Sequence, residues 1–277
     1  MDFPTTPALL SLPTAPWGDV LRALIGHTGF VGSNLLKGEG FDATFNSRNS
    51  SLLAGRSFDE IICAGVSAAK WIANVEPDAD RKAIAALTSI LEQASIGRFV
   101  LISTIDVYPD PSQSLDEACN LVGQPNHPYG RHRLELEEWV RSRYSDSLIV
   151  RLPALFGPGL RKNALYDLLH GNDTEKINPA GVFQWYPVAR LNSDIAIAAS
   201  AGLRLINLFT APVALMKIVQ QHFAGIPLGP ERLPGPRYAL KTRHAALFGG
   251  ENGYIMNEEQ EVQAIADFIA DERDRLT

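Results

Sequence analysis

Cysteine is scarce. Only Cys63 and Cys119 occur in 277 residues, too few for a disulfide framework, and neither stands in a Cys/His spacing that would hold zinc. The six histidines show no ligand spacing either, so no metal is expected. Both cysteines fit a reducing compartment, and a cytoplasmic location is expected. Clustered lysine and arginine are also missing. With a net charge of −6 and no basic run, nucleic acid is excluded as the main partner, because phosphate backbones are gripped by grouped cations. No apolar stretch reaches the roughly 18 residues that span a bilayer, so no membrane partner is expected. Residues 1–19 lack a positive segment ahead of Leu9–Leu12, which argues against a signal peptide. Their four prolines predict an extended arm.

What is present is alternation. The apolar runs Val20–Ile25, Glu60–Ala64, Phe99–Ser103 and Leu148–Leu152 read as buried strands. Ala83, Leu87, Ile90 and Leu91 recur at helical spacing, as do Leu134, Trp139 and Val140. Strand and helix in turn predict an α/β fold: a Rossmann-type, doubly wound parallel sheet with right-handed crossovers. Arg48 to Glu60 is too short for both a strand and a crossover helix, so one edge strand is expected to be missing or reduced. The core is expected over residues 20–157. A smaller C-terminal substrate lobe is expected over 158–277, with a late strand and helix at about 203–223. Pro227–Pro236, with four prolines, reads as a loop.

The strongest local signal is Gly26-His27-Thr28-Gly29-Phe30-Val31-Gly32, between a strand and the helical Ser33–Leu36. Gly26 permits a tight turn, Gly29 a close approach of backbone to a pyrophosphate, and Gly32 close packing of helix on strand. The helix start offers unpaired N–H groups to the phosphates. A glycine-rich turn without ligand is the competing reading. In dinucleotide sites an acidic residue about 20 positions past the first glycine grips the ribose. Here the stretch is Phe45-Asn46-Ser47-Arg48-Asn49. It holds no carboxylate, and Arg48 could pair a 2′-phosphate. NADP is therefore expected ahead of NAD, unless Arg48 is only a solvated charge. Asp42, nearer the glycines, is expected to cap a turn.

These residues, with Ser103-Thr104-Ile105-Asp106-Val107-Tyr108, Pro128-Tyr129-Gly130-Arg131-His132-Arg133 and Arg151-Leu152-Pro153-Ala154-Leu155-Phe156-Gly157-Pro158, resemble the extended short-chain dehydrogenase/reductase family of nucleotide-sugar epimerases, dehydratases and reductases. The resemblance runs from Val20 almost to the C-terminus. It implies a tyrosine acid/base at Tyr129, an oxygen-binding partner at Thr104, and hydride exchange with a nicotinamide. Where the family has a lysine, this chain has Arg133. That residue keeps a cation one helical turn from Tyr129 and is expected to hold the nicotinamide ribose and bias Tyr129 toward ionisation. It cannot relay a proton. Lys70 could supply an ammonium instead. Ala64, at the end of a strand, joins Gly26–Gly32, Arg48 and Arg133 as an expected cofactor contact. Asp106 stands two residues after Thr104, the spacing of a dehydratase base; a loop carboxylate bonding backbone amides is the alternative.

Ala154 stands where many relatives carry a substrate-binding Asn. Lys70, Ala154, Lys162, Gln184, Arg190 and Lys241 are candidate substrate contacts, with Arg237 and Arg243 as further phosphate partners. The reading is an NAD(P)-dependent enzyme acting on a nucleotide sugar. Its alternatives are a dehydratase using Asp106, or a cofactor-binding sensor or partner subunit with little catalysis. A homodimer through the helix after Tyr129 and the preceding crossover helix is compatible with the apolar positions on both.

Overall fold

The computed structural model describes residues 21–38 and 40–276, so the arm expected over residues 1–19 lies outside the described residues. The core elements follow in the order β1 (Arg22–Ile25), α1 (Phe30–Gly38), β2 (Ala43–Phe45), β3 (Ser57–Cys63), α2 (Lys70–Val75), α3 (Pro77–Leu91), β4 (Ser95–Thr104), α4 (Pro128–Arg143) and β5 (Ser147–Leu152). Then come β6 (Ala154–Phe156), α5 (Ala164–His170), β7 (Val182–Phe183), β8 (Trp185–Pro187), α6 (Leu191–Ser200), β9 (Leu205–Asn207), β10 (Val213–Ala214), α7 (Leu215–His222) and α8 (Glu258–Leu276).

Six strands form one parallel sheet in the order β2-β1-β3-β4-β5-β9. The expected Rossmann-type sheet is therefore present, and so is its shortening. Between β2 and β3 there is a single 3-10 turn at Ser50–Leu53, which leaves β2 at the edge.

The inner strands β1, β3, β4 and β5 are covered on both faces, which is why their runs read as continuously apolar. Side chains alternate between faces. Leu24, Ile62, Val100, Leu148 and Val150 pack with Leu35 of α1 and Leu191, Ile195 and Ala198 of α6. Their neighbours Ala23, Ile25, Ile61, Phe99, Leu101 and Ile149 pack with Leu91 of α3 and Leu136 and Val140 of α4. α3 and α4 each carry proline in the first turn, where a missing N–H costs nothing. The His127 side chain caps α4 by accepting from Gly130 N.

Beyond Phe156 the chain builds a separate apolar cluster. There Trp185, Val213, Leu215, Ile218, Ile265 and Phe268 meet under the short strands β6–β8 and β7–β10. The late strand and helix appear as β9 and α7, and the proline-rich stretch 227–236 is irregular. No helix among the described residues is long and apolar enough to cross a membrane.

Candidate active site

β1 has β2 on one side and β3 on the other, so the chain reverses direction across the sheet at β1/β3. In parallel sheets a crevice opens outside the carboxyl ends of the strands at such a point. The glycine turn stands there. Gly26 has φ +90°, and a Cβ on it would lie 2.4 Å from the Ala64 carbonyl oxygen. Only glycine lets this turn rest against the end of β3. A Cβ on Gly32 would lie 2.1 Å from the Gly26 oxygen, so α1 could not start as close to β1. A Cβ on Gly29 would meet nothing nearer than that oxygen at 3.4 Å, which leaves open space outside the turn.

Gly26 N donates to Phe45 O at 2.7 Å and His27 Nδ1 lies 3.0 Å from the same oxygen, tying the turn to β2. Thr28 is in the turn, and Phe30 and Val31, in the first turn of α1, pack half-buried on the core. Together the open face at Gly29 and the first-turn amides of α1 fit the pyrophosphate of a dinucleotide.

Arg48 lies exposed in the turn after β2. Its backbone N–H is held by the Asn46 side chain at 2.8 Å, and its guanidinium enters no ion pair among the described residues. Asp42 caps the start of β1, accepting from Arg22 N at 2.7 Å.

The second half of the site forms where β4 ends and α4 begins. Thr104 is the last residue of β4 and Tyr129 lies in the first turn of α4; their hydroxyls are hydrogen-bonded. The Thr104 hydroxyl also faces Asp106 Oδ2 at 3.3 Å and accepts from Asp106 N at 3.1 Å. Lys70 Nζ sits 2.6 Å from Asp106 Oδ1. Asn74, four residues on, accepts from Tyr129 N at 3.0 Å, so one face of α2 holds both Asp106 and the tyrosine backbone. Asn126 donates to the Asp106 and Val107 carbonyls at 2.9 and 3.1 Å, fastening the strand-end loop beside α4. Tyr238 brings a second phenol within electrostatic range of Lys70 and Asp106.

Burial pushes the Tyr129 phenol above its ordinary range. The Arg133 cation opposes this, Asp106 adds to it, and the Thr104 bond and Lys70 oppose it. Tyr129 is therefore a protonated phenol at neutral pH. This differs from the expected bias toward ionisation: for a ring 6% exposed, desolvation outweighs the cations. His127 is held below its ordinary range, first by burial and then by Lys70, against Asp106.

Arg133 takes a different place from the one expected of a ribose-holding residue. Its side chain is 5% exposed. Nη1 and Nη2 donate to the two oxygens of Asp80 on α3 at 2.8 and 3.0 Å, and Nη2 also donates to Ser67 O at 2.5 Å. The guanidinium carbon stands 4.3 Å from the Tyr129 ring centre, stacked on the ring face. His132 joins the same carboxylate through Nδ1 at 2.8 Å. Burial alone would raise the Asp80 carboxyl, but the bonds from Arg133 and His132 hold it below the usual range.

Of the candidate substrate contacts, Lys162 reaches across to donate to Ala68 O at 3.1 Å, beside the Lys70 helix. Ala154 starts β6, half-buried, paired with Trp185. Gln184 is turned inward: its amide donates to Thr210 O and Leu240 O at 2.6 and 2.8 Å, a brace between chain segments. Arg190 is paired with Asp194 at 3.2 Å, and Lys241 lies over the Tyr254 ring at 5.7 Å. Among the described residues, none of these three bonds to Thr104, Asp106 or Tyr129.

Asn74 and Asp80 were not singled out by the sequence. Asn74 had a usable signal, its spacing of four from Lys70. Asp80 looked like an ordinary first-turn acid of α3.

A Rossmann-type sheet with a glycine turn at its switch point and a Thr/Tyr hydroxyl pair on the same edge defines the class. Comparisons narrow it. Residues 37–170 match the sequence model of the NAD dependent epimerase/dehydratase family. The match begins after the glycine turn and takes in Thr104, Asp106, Tyr129 and Arg133. No curated protein matches the chain. Among solved structures, the UDP-N-acetylglucosamine 4-epimerase of Methanobrevibacter ruminantium, in complex with UDP-N-acetylmuramic acid, superposes with a TM-score of 0.71 at 16% identity, over 91% of this chain and 99% of that one. The UDP-glucose 4-epimerase of Thermotoga maritima with UDP-glucose gives 0.69 at 15%, over 92% and 99%. MoeE5 with UDP-glucose and NAD gives 0.71 at 17%, over 92% and 99%. At these identities the likeness establishes the fold. The family match adds similarity to the NAD dependent epimerase/dehydratase family over residues 37–170, a little under half of the chain.

Proposed function

We propose that the chain binds a pyridine dinucleotide, NADP ahead of NAD, and acts on a nucleotide-activated sugar by hydride transfer with Tyr129 as acid/base. The observation that carries this reading is the buried, hydrogen-bonded pair Thr104–Tyr129, at the same sheet edge as the glycine turn. The residues from Gly26 to Gly32 would hold the pyrophosphate, with Ala64 beside it. When bound, the nicotinamide supplies a hydride acceptor or donor. Thr104 and Tyr129 hold the substrate oxygen between their hydroxyls. Tyr129, protonated at neutral pH, gives its proton to a carbonyl oxygen in reduction and takes one back in the reverse direction. Residues 158–277 are proposed as the substrate lobe, with Tyr238 and Lys162 its approaches to the site. A homodimer through α3 and α4 is part of the reading.

Arg48 supports NADP: its guanidinium is unengaged beside the end of β2, and no carboxylate stands in that turn. Calorimetric titration tests it. The protein is expected to bind NADPH more tightly than NADH. Arg48→Ala should weaken NADPH by about 10- to 100-fold, the worth of a charge-assisted hydrogen bond, and leave NADH unchanged. Equal wild-type affinities would remove the role given to Arg48.

One observation favours a second reading, a dinucleotide-binding protein with weak catalysis. Arg133 is tied to Asp80 by two hydrogen bonds, which leaves its guanidinium fewer free donors for a ligand. Measurable turnover on any nucleotide sugar would decide against that reading. The dehydratase reading, with Asp106 as base, is the less supported one, since Lys70 and Thr104 already engage both carboxylate oxygens.

A further inference from the structure

Lys70 opens α2 with its side chain 41% exposed, yet its ammonium is aimed into the site, 2.6 Å from Asp106 Oδ1. The other oxygen of that carboxylate faces the Thr104 hydroxyl at 3.3 Å, and Thr104 is bonded to the Tyr129 phenol. A continuous chain of ammonium, carboxylate, hydroxyl and phenol thus runs from α2 to α4. Among the described residues, the charged and titratable groups that act on the phenol or lie beside it come from several elements. Arg133 comes from its own helix, Asp106 from the loop after β4, Lys70 from α2, and Tyr238 and His127 lie around the same ion pair. Arg133 lies over the ring face with its charge matched by Asp80. Asp106 would be a bare anion next to the phenol if Lys70 were absent, and two like charges there would oppose ionisation.

We propose that Lys70 is a positioning residue that sets the proton affinity of Tyr129, by neutralising Asp106 and holding its carboxylate against Thr104. The inference rests on the reading of Tyr129 as the acid/base. It adds a second cation, from α2, to the one that Arg133 already sets over the ring. The same ammonium also lies within electrostatic range of Tyr238.

Fluorine NMR of protein labelled with fluorotyrosine tests this without dinucleotide. The fluorine brings the phenols into an accessible pH range, and loss of one signal in Tyr129→Phe assigns Tyr129. Lys70→Met is expected to raise the Tyr129 midpoint by roughly one pH unit or more, the effect of an uncompensated neighbouring charge. Lys70→Arg should hold it near the wild-type value. Lys70→Met with Asp106→Asn should bring it back. The Tyr238 signal should move with Lys70→Met, while that of Tyr254, beside Arg237 and Lys241, should not. Should Lys70→Met fail to fold by circular dichroism, Lys70→Gln is read in the same way. A folded variant with an unmoved Tyr129 midpoint overturns the proposal. Because the titration needs no cofactor, a protein that shows these shifts but binds no dinucleotide would refute the proposed enzyme and leave the role of Lys70 standing.

Discussion

Tyr129→Phe is expected to lower turnover on a nucleotide sugar by about 100- to 10,000-fold, the usual worth of a positioned acid/base, with dinucleotide affinity near the wild-type value. The ring is 6% exposed and stacked under Arg133 at 4.3 Å, contacts that phenylalanine keeps. Only the hydroxyl bonded to Thr104 is lost. Steady-state kinetics beside calorimetry separates the two effects, and turnover unchanged in the variant would remove Tyr129 from the chemistry. The pH dependence has a definite sign. Burial raises the phenol's pKa, so in the reductive direction the step that needs the protonated phenol should be level through neutral pH. It should fall only on the alkaline side.

Arg151→Met is expected to destabilise the fold by about 3–5 kcal/mol, the cost of breaking a buried ion pair by removing one partner. Arg151 on β5 is 2% exposed and Glu137 on α4 is fully buried. Arg151 Nη2 and Nε lie 2.6 and 3.0 Å from the Glu137 carboxylate, and Nη1 lies 3.0 Å from the Tyr108 hydroxyl. Ser103, next to Thr104, donates to the same carboxylate at 2.6 Å. Loss of Arg151 leaves the buried Glu137 anion with only the half-buried Arg141, at 3.1 Å, as a cation, and loosens the strand end that carries the site. Replacing Glu137 as well, by Leu, should recover part of the loss, because the pair's own desolvation cost disappears with it. Denaturant unfolding measures both. A midpoint for Arg151→Met equal to that of the wild type would contradict the account of this network.

The parallel sheet was legible because its strands are buried on both faces and so read as unbroken apolar runs, Phe99–Ser103 and Leu148–Leu152 among them. The missing edge strand was legible from chain length alone: Arg48 to Glu60 has room for the 3-10 turn that is found there and no more. The glycine turn was legible because close backbone approach ties glycine to fixed spacings, whereas Thr104 and Tyr129 were picked out by the family resemblance alone. What the sequence hid was long-range pairing. Asp80 and Arg133 are 53 positions apart, and nothing local marks Asp80 as the partner of that guanidinium. Gln184 and Arg190 looked like ligand contacts because polar residues near an apolar run carry no sign of which way they face. Both proved to bond other parts of the chain. Lys70 was ambiguous for the same reason, since an exposed lysine and one aimed at a carboxylate 36 positions away look alike in a sequence.

Calorimetric titration of the folded protein with NADPH and NADH tests the central claim most directly, with Gly29→Asp as the comparison. A Cβ at position 29 meets nothing closer than 3.4 Å, so this variant should fold while setting a carboxylate where the phosphates belong. The account predicts saturable binding of one dinucleotide by the wild type and its loss in the variant. Absence of binding of either dinucleotide to the wild type, or binding undiminished in Gly29→Asp, would contradict it.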